Sequence, residues 1–481
     1  MAAIVIFWGC LTAQQRQSNG QFAAVAAGSW VVAGLVSCVI GLCQYYGLAD
    51  SFSPWMNSNS IGKAFANLRQ PNQFATLTNI ALAAVIWLAV RPSIGLVSDN
   101  YFSRYKYLWV LCACLLAIGN AASASRTGLV QLLALCAVSF YWQGRHHTLV
   151  KRVLLAALMS YGMAVWLLPT LAGLDLSVYG TMARIQQGDR LCASRITLWS
   201  NVLHLIAQKP WLGWGWGELD YAHFITLYNE PRFCDILDNA HSLPLQLAVE
   251  LGVPFALLVC GGFTWWALRQ KPWAERDVTR QMAWAVMAVI LLHSMLEYPL
   301  WYGPFQMTFG ICVLLLWRQK QPLEAENASK KVSNQPPAQI SRAQAAIISV
   351  ASMLLLFTVY ATWDYRRISQ IYLEPESRSA AYRTDTLSKI RSSWLFADQV
   401  QFAELLITPI TPANAAWTFD TARQLLHYSP EPRVIEKLIE SAVMLGKDED
   451  ALAYLARYRA AFPKEHALWA KSNAMPNAKA N

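Results

Sequence analysis

The sequence predicts an all-α fold: a polytopic helical membrane protein with a large external loop and a soluble helical domain at its C-terminus. Three observations indicate this class. Hydrophobic residues make up 55% of the 481 residues and charged residues only 14%, which is too apolar for an ordinary soluble protein. Long apolar stretches recur between Phe22 and Trp363, and basic and non-basic connections alternate between them. Beyond Trp363 the sequence turns amphipathic.

A helix needs about 20 mostly apolar residues to cross a bilayer. The first apolar stretch, 2–13, is too short, and no basic segment precedes it as in a signal peptide. We therefore expect that upstream sequence is missing. Nine further stretches are predicted to be spans: Phe22–Leu48, Phe74–Val90, Tyr107–Ala122, Leu129–Trp142, Val153–Ala172, Leu243–Leu268, Met282–Leu300, Phe305–Trp317 and Ala345–Trp363.

The connections between these spans alternate in charge. The basic set consists of Arg16 and segments 91–106, 145–152, 269–280 and 318–342, and the positive-inside rule places it in the cytoplasm. The other set is then external: 50–73, 123–126, 175–241, 297–303 and everything after Trp363. The net charge of +10 is explained by the basic loops, so no nucleic-acid partner is predicted.

Five parts follow from this pattern. An N-terminal transmembrane region is predicted at 1–64 and a transmembrane core at 65–318, with an external loop at 174–241. A polar cytoplasmic linker with a Pro-Pro pair follows at 319–344. The last transmembrane helix is predicted at 345–363 and a soluble helical domain at 364–481.

The C-terminal domain contains three predicted amphipathic helices, Thr421–Ser429, Pro432–Leu445 and Asp448–Phe462. The alanine-rich run from Ala451 and its closing Pro463 are typical of tetratricopeptide (TPR-like) hairpins, which often bind protein segments. A small helical cap fits the same pattern.

Arginines collect on the predicted external face. The planar guanidinium fork suits phosphate and stays charged at a partly buried interface. Several arginines on one side therefore predict an anionic ligand, and beside a bilayer that anion is a lipid phosphate or pyrophosphate. A headgroup contact is the alternative for any single arginine. The residues concerned are Arg69, Arg126, Arg184, Arg190 and Arg195.

His241 stands at the mouth of a long apolar stretch, after an Asp238-Asn239 pair that would orient its ring. A histidine titrates near neutrality and suits general base catalysis; a structural cap of the helix is the alternative. His293 lies deeper and is predicted to be a packing contact between helices. Glu297 and Tyr298 end a later span, where either would position a substrate, although a tyrosine there is equally an aromatic-belt residue.

Two features of the long loop remain open. Cys192 and Cys234 are its only cysteines, and in an oxidising compartment they form either a disulfide or two unpaired thiols. The Trp211-Leu-Gly-Trp-Gly-Trp-Gly217 run either stacks on sugar rings or forms a re-entrant or interfacial segment. No metal-ligand spacing, phosphate-binding glycine loop or nucleophile elbow occurs, so no metal or cofactor is predicted and cytosolic ATP chemistry is disfavoured.

Several short motifs together resemble the superfamily of O-antigen ligases and bacterial protein O-oligosaccharyltransferases, most closely its protein-glycosylating (PglL-type) branch. They occur in the family's order over residues 65–315, each at an external span end. The motifs are Asn67-Leu-Arg-Gln-Pro-Asn-Gln73, Ser125-Arg-Thr-Gly128, Ser194-Arg-Ile-Thr-Leu-Trp199, Pro210-Trp-Leu-Gly-Trp-Gly215, Asn239-Ala-His-Ser-Leu-Pro-Leu-Gln246 with Glu250-Leu-Gly252, and His293-Ser-Met-Leu-Glu-Tyr298.

This resemblance implies transfer of a preassembled oligosaccharide from a polyprenyl-pyrophosphate lipid, such as undecaprenyl pyrophosphate, at the periplasmic face of the bacterial inner membrane. It implies no metal or nucleotide. It assigns an essential histidine to His241, a glutamine to Gln70 and a tyrosine to Tyr298. Asn72 and Asn239, polar residues of the same external face, are predicted to position the substrate as well. Among the pyrophosphate-binding arginines, Arg195 matches best, followed by Arg69, Arg126 and Arg184.

A hydroxyl acceptor is a weak nucleophile, so His241 would accept its proton while arginines stabilise the leaving pyrophosphate. We expect single displacement with inversion at the anomeric carbon. Three acceptors are open: serine or threonine of a protein such as pilin, the lipid A core, or the end of another glycan. The soluble C-terminal domain favours a protein. A lipid-linked glycan transporter is an alternative of another class, and would carry its charges near mid-membrane; a purely structural scaffold fits the polar external face least well.

Overall fold

The computed structural model describes residues 19–53, 55–90, 99–144, 146–175, 192, 194–318 and 342–474. The predicted short N-terminal stretch at 2–13, Arg184, Arg190 and most of the predicted linker at 319–344 lie outside the described residues. Within these ranges the secondary structure is entirely helical. The all-α class is therefore confirmed, whereas the TPR-like character of the C-terminal domain and the predicted domain boundaries stay predictions.

Eighteen α-helices are used below as reference points in the described ranges. The N-terminal part contains α1 Asn19–Tyr45, α2 Pro71–Val90, α3 Asp99–Ala122, α4 Arg126–Ser139 and α5 Thr148–Leu171. The middle contains α6 Arg195–Gln208, α7 Leu219–Ile225, α8 Leu243–Leu251, α9 Val253–Gln270, α10 Val278–Ser294 and α11 Gly303–Arg318. The C-terminal part contains α12 Arg342–Ile368, α13 Thr386–Ile390, α14 Ala397–Ile407, α15 Ala415–Leu425, α16 Pro432–Met444, α17 Asp448–Ala461 and α18 Pro463–Ala474.

Every predicted span overlaps one or two helices, and the protein is a membrane protein. Within the described ranges, three helical segments are long and apolar enough to cross a bilayer by length and composition, namely Phe22–Tyr45, Pro71–Val90 and Thr148–Leu171. Two shorter apolar helices are Lys106–Ala122 and Gly303–Trp317. The other predicted spans are helical, but their transmembrane character stays a prediction.

The chain divides into two compact units. The first comprises Met1–Gly188, His241–Leu243 and Gly262–Ile340, and the second comprises Asp189–Ala240, Pro244–Gly261 and Ser341–Asn481. The long loop therefore belongs mainly to the same unit as the C-terminal helices. His241, like the first residues of the loop, belongs to the first unit.

Helix α2 is the centre of the first unit. It packs against α1, α3, α4 and α10, and its side chains are buried around the whole circumference, from Phe74 to Val90. A helix that is apolar on all sides is buried on all sides. Its few polar side chains, including Asn72 and Thr76, therefore face neighbouring helices and need partners there.

The predicted span Leu243–Leu268 is wrong as a single helix. The chain breaks between α8 and α9 at Gly252, whose φ is +90°. The Val253 N–H donates to the carbonyl of Pro210 at 2.8 Å, so the turn that follows α6 is held against the break. A Cβ on Gly252 would overlap the Trp211 carbonyl. Glycine is required here for both reasons.

In the second unit, the loop helix α7 is packed against the C-terminal helices. Phe224 is 2% exposed and shares a core with residues such as Phe419 and Leu438. Arg457 donates its Nε hydrogen to the carbonyl of Ile225 at 2.8 Å. The ring of His427 stacks on Tyr221 with centroids 3.7 Å apart.

The same unit contains the loop cysteines and a helix whose bounds differ from prediction. Cys192 and Cys234 are joined by a disulfide, with Cα atoms 5.3 Å apart.

Helices α16 and α17 begin at the predicted residues, but α15 begins at Ala415 rather than Thr421. Asn414 closes the preceding turn by accepting from the Thr411 N–H at 2.8 Å, so the helix begins earlier than the amphipathic pattern suggests.

Replacing Gly252 with alanine should destabilise the fold. The left-handed backbone costs roughly 1–2 kcal/mol for a non-glycine residue, and the overlap with Trp211 costs about 1–3 kcal/mol more. Gly261→Ala within α9 is the matched control, because a Cβ there meets no atom within 4 Å. Thermal unfolding in detergent should show a lower midpoint for Gly252→Ala alone; equal midpoints would contradict this account of the break.

Asp220 predicts a pH dependence for the second unit. Burial raises the pKa of its carboxyl to about 7, and the charges of Glu218 and Asp238 add to the effect. A folded-state pKa above the unfolded value means that its favourable contribution exists at low pH and is lost as pH rises through about 7. Asp220→Asn removes the ionisation and keeps an oxygen for the Tyr221 N–H, which now bonds Oδ1 at 2.7 Å.

The expected result is a larger gain in melting temperature for Asp220→Asn at pH 8 than at pH 5.5, relative to the wild type at each pH. Asp235→Asn, an exposed carboxylate in the same loop, is the control. A gain that does not change with pH would argue against the ionised buried carboxylate.

Candidate active site

Glu297 gathers polar side chains from distant parts of the first unit. It follows α10, where its backbone N–H donates to the carbonyl of His293 at 2.8 Å, and it is 6% exposed. Its Oε2 contacts His241 Nδ1 at 2.7 Å and accepts from Gln70 Nε2 at 3.3 Å. Its Oε1 accepts from Asn72 Nδ2 at 3.2 Å. We call Gln70, Asn72, His241 and Glu297 the carboxylate cluster.

The imidazole of His241 is oriented by this carboxylate. An ionised carboxylate only accepts hydrogen bonds, so Nδ1 carries the proton and donates a hydrogen bond to Glu297. Nε2 then presents a lone pair, as a general base requires. The side chain of His241 is 26% exposed, so the ring is accessible as well as anchored.

Tyr298 packs beside the same ring. Its ring and that of His241 meet edge to face, with centroids 5.3 Å apart and planes at 76°. Tyr302 stacks on Tyr298, with ring centroids 5.9 Å apart. The two tyrosine rings restrict rotation of the His241 imidazole on a side where the bond to Glu297 does not restrict it.

Asn72 joins the cluster to the Ser125 motif. Its Oδ1 accepts from Ser125 Oγ at 2.6 Å, and the same Oγ caps α4 by accepting from the Gly128 N–H at 2.9 Å. Four sequence motifs, with bonded residues up to 227 positions apart, therefore meet at one polar cluster.

A buried polar chain lies on the helices that carry the cluster. Thr76 Oγ1 contacts His293 Nδ1 at 2.9 Å and accepts from Gln131 Nε2 at 3.0 Å. Gln131 also accepts from Asn79 Nδ2 at 3.2 Å and donates to the Val289 carbonyl at 2.8 Å. These bonds connect α2, α4 and α10 and fix their register, because a slip would leave buried polar groups unpaired.

Backbone strain marks the same motifs. Six non-glycine residues with positive φ occur in the described ranges, and four of them lie in the motifs or directly before them: Ala66 (52°), Arg69 (60°), Ala124 (50°) and His241 (50°). Such conformations persist only where surrounding contacts determine them, and they cluster at functional sites. The strain thus supports the cluster as a site by an observation independent of its hydrogen bonds.

The predicted anion-binding arginines lie in both units. Arg69 and Arg126 are exposed residues of the first unit, and Arg126 is the first residue of α4. Arg195 belongs to the second unit, where it begins α6 after the capping residue Ser194. Arg184 lies outside the described residues.

Asn239, also in the second unit, is 8% exposed, and its Oδ1 is buried without a hydrogen-bond partner in the described part of the chain. The neighbouring Ala240 is held on both sides. Its N–H donates to Gln246 Oε1 at 2.6 Å, and its carbonyl accepts from Trp199 Nε1 at 3.0 Å. The Asn239–His241 motif thus begins from a fixed backbone.

Sequence reasoning assigned the orientation of the histidine ring to the Asp238-Asn239 pair, whereas Nδ1 contacts Glu297. It considered Glu297 only for positioning a substrate, and it missed Thr76 and Gln131. One signal was available: a carboxylate at the end of an apolar span is costly unless it has partners. His293 is fully buried against α2, in agreement with its predicted packing role.

Within the described part of the chain, no three His, Cys, Asp or Glu side chains are grouped closely enough to hold a metal ion.

Three family models match the chain in order. Residues 64–89 match the protein glycosylation ligase model, residues 111–260 the O-antigen ligase model, and residues 281–475 the C-terminal region of the virulence factor membrane-bound polymerase model. The first two contain Gln70, Asn72, Ser125 and His241, and the third contains Glu297. By these matches the chain is similar to the superfamily of O-antigen ligases and protein O-oligosaccharyltransferases.

Two curated relatives, both from Acinetobacter baylyi, are distant. A ComP-specific O-oligosaccharyltransferase is 23% identical over 312 residues, which cover 64% of this chain and 54% of the relative. A general O-oligosaccharyltransferase is 22% identical over 433 residues, 88% of this chain and 71% of the relative. The chain thus spans about half the length of the first relative. No solved structure matches the chain significantly.

Thr76→Val tests the buried polar chain. It removes the hydroxyl between His293 and Gln131, and a buried polar group that loses its partner costs about 1–3 kcal/mol. Thr78→Val in the same helix is the control, because Thr78 is also buried and, among the residues that the structure describes, its hydroxyl bonds only the Ala75 carbonyl, at 2.7 Å. We expect thermal unfolding at a distinctly lower temperature for Thr76→Val; equal shifts for the two variants would contradict the proposed importance of the chain.

Proposed function

We propose that this protein is an O-oligosaccharyltransferase that moves a preassembled glycan from a polyprenyl-pyrophosphate lipid to serine or threonine hydroxyls of proteins. The observation that carries this proposal is the contact of His241 Nδ1 with Glu297 at 2.7 Å. It orients an accessible imidazole as a base among residues that the superfamily resemblance singles out. The transferase class is supported by the two relatives, both named O-oligosaccharyltransferases.

In this mechanism the acceptor hydroxyl loses its proton to Nε2 of His241 as the oxygen attacks the anomeric carbon. Glu297 stabilises the imidazolium that forms, as a carboxylate does beside a catalytic histidine. The bond between the anomeric carbon and the phosphate oxygen breaks, and the pyrophosphate leaves with its electron pair. One displacement inverts the anomeric configuration.

The leaving pyrophosphate needs positive charge that is already in place. Arg69 and Arg126 are exposed and belong to the same unit as the cluster, and Arg195 and Arg184 complete the proposed set. Gln70, Asn72 and Tyr298 surround the histidine and carboxylate, so their proposed role is to hold the base in place and position the substrate. Asn239 is proposed to position substrate as well.

We place the reaction at the periplasmic face of a bacterial inner membrane. The cluster lies at helix ends: Glu297 follows α10, Gln70 precedes α2, and His241 precedes α8. By the charge alternation of the connections, these ends face outward. A transporter would instead carry its ionisable pair near mid-membrane, so this placement favours transfer over transport.

The proposed acceptor is a protein such as a pilin. The relatives carry O-oligosaccharyltransferase in their names, one of them with ComP as its specific target. A large helical region after α12, sharing a core with the loop helix α7, offers surface for a protein acceptor. The alternatives are the lipid A core and a growing glycan end, which the O-antigen ligase and polymerase family models bring forward.

His241→Ala should lower transfer from a purified polyprenyl-pyrophosphate oligosaccharide to a serine-rich pilin-like protein by roughly 10²–10⁴-fold, the usual contribution of a general base. His146→Ala, an exposed histidine in a connecting turn, is the control and should retain full activity. Full transfer by a folded His241→Ala protein would refute the assigned role.

Glu297→Gln keeps the shape of the side chain and removes its charge. The expected result is a fall in kcat greater than any change in the acceptor KM, because the imidazolium forms only during the reaction. An unchanged kcat would remove Glu297 from the mechanism.

The product should have the inverted anomeric configuration by NMR, and retention would refute single displacement.

Deleting the residues after Trp363 is a blunt test of the acceptor, since it also uncovers Phe224. Offering wild-type protein three acceptors in parallel is sharper: pilin-like protein, lipid A core and free glycan ends. Transfer to the protein alone supports the proposal. Transfer only to lipid A core or to glycan ends would keep the chemistry and reassign the acceptor.

A further inference from the structure

An exposed apolar surface of the second unit takes no part in the carboxylate cluster. It lies on α6 and on the turn Lys209–Gly217, which we call the tryptophan turn. Its exposed large apolar side chains are Ile196 (82%), Leu203 (54%), Trp211 (76%), Leu212 (86%) and Trp216 (63%).

Helix α6 has two distinct apolar faces. Leu198, Val202 and Leu205 are buried in the second unit. Ile196, Leu203 and Ala207 are exposed, and at 3.6 residues per turn they lie within about 40° of one another. A helix with apolar residues on both faces needs a second apolar environment for the outer one.

The tryptophan turn is rigid. Trp214 donates its backbone N–H to the Val249 carbonyl at 2.9 Å, and Gly215 donates to the Glu250 carbonyl at 2.9 Å. The indole of Trp214 donates to the Leu205 carbonyl at 3.0 Å. With the backbone and Trp214 fixed inward, Trp211 and Leu212 are held outward by the fold.

This surface continues into α9. The Val253 N–H bonds the Pro210 carbonyl at 2.8 Å, so the tryptophan turn lies at the first residue of that helix. The next turns of α9 expose Phe255 (42%), Leu257 (68%) and Leu258 (72%). In a membrane protein, such an apolar helix surface faces lipid, and the turn is placed where that surface begins.

We propose that α6 and the tryptophan turn lie in the membrane interface on the external side, with Ile196, Leu203, Trp211 and Leu212 in the acyl-chain boundary. This is the arrangement of an interfacial amphipathic helix. Lys209 lies over the ring of Trp214 at 4.0 Å. This contact holds the Lys209 ammonium at the polar edge of the tryptophan turn, beside the lipid phosphates. Ser200 bonds Glu230 at 3.3 Å and marks the other polar edge.

The chemistry favours lipid over a glycan as the partner. Sugar-binding surfaces present flat aromatic faces together with hydrogen-bonding groups, whereas this surface adds the branched aliphatic chains of Ile196, Leu203 and Leu212 to its two exposed tryptophans. Lipid also accounts for the continuity with α9, which a soluble acceptor protein would not explain.

One consequence rests on the proposed function. Arg195 precedes Ile196, so an α6 that lies in the interface brings this guanidinium to the depth of lipid phosphates. A polyprenyl-pyrophosphate carries its phosphates at that depth. The membrane contact itself does not depend on this step.

Photo-crosslinking in the full-length protein tests the contact directly. Benzoylphenylalanine replaces Leu212, Leu258 or Leu227 in separate variants, each reconstituted into phosphatidylethanolamine and phosphatidylglycerol liposomes with the polyprenyl-linked donor present. Leu227 is the control, because it is 53% exposed in the same loop but lies in neither α6 nor the tryptophan turn. Lipid adducts at positions 212 and 258, and none at 227, are expected by mass spectrometry.

Lipid adducts at 258 without any at 212 would overturn the proposal. Adducts at 212 to the donor glycan, or to an added acceptor protein, would overturn it in favour of those partners. Because this readout requires no catalysis, it stands even if the proposed transferase activity fails.

An activity measurement with two donors distinguishes a role in membrane contact from a role in the reaction. Leu212→Asp should reduce transfer from long-chain donor in liposomes at least tenfold, yet leave transfer from a detergent-soluble short-chain donor within about twofold of wild type. Leu227→Asp should change neither. Equal activity of Leu212→Asp with both donors would contradict a membrane role for the turn, and equal loss with both would assign it a role in folding instead.

Discussion

The structure of the first unit depends on the need to compensate one buried carboxylate. Glu297 is almost fully removed from water, and a buried charge is tolerated only with hydrogen-bond donors around it. Those donors come from Gln70 and Asn72 at the start of α2 and from His241. Satisfying one carboxylate therefore requires the start of α2 and the turn that carries His241 to meet the end of α10, and the left-handed backbone at Arg69 and His241 is the local cost of that convergence.

Composition and periodicity were sufficient for the helical class and for the positions of most helices, because apolar runs of this length have few alternatives to helix in a membrane. They failed where a single residue changes the backbone. Gly252 divides one apolar run into α8 and α9 because the tryptophan turn packs on it, a tertiary contact with no periodic signal. The early start of α15 depends likewise on the turn closed by Asn414.

The candidate site was predictable in its members but not in its centre. Gln70, Asn72, His241 and Tyr298 were identified from motifs, and the structure brings them together. Glu297 was seen as one polar residue among several, because sequence does not reveal that three donors point to the same carboxylate. Thr76 and Gln131 were missed since each is an unremarkable polar residue in an apolar helix. Only the bonds between their helices give them a role.

The packing of α7 on the C-terminal helices has a consequence for biogenesis. The bond from Arg457 to Ile225 joins residues 232 positions apart, and Phe224 is covered by side chains that leave the ribosome much later. Helix α7 must therefore remain uncovered until the residues that cover it, as far as Tyr458, have been translated. Folding of the second unit is expected to be limited by the arrival of these residues, and a chain truncated after α12 would leave Phe224 without the side chains that cover it.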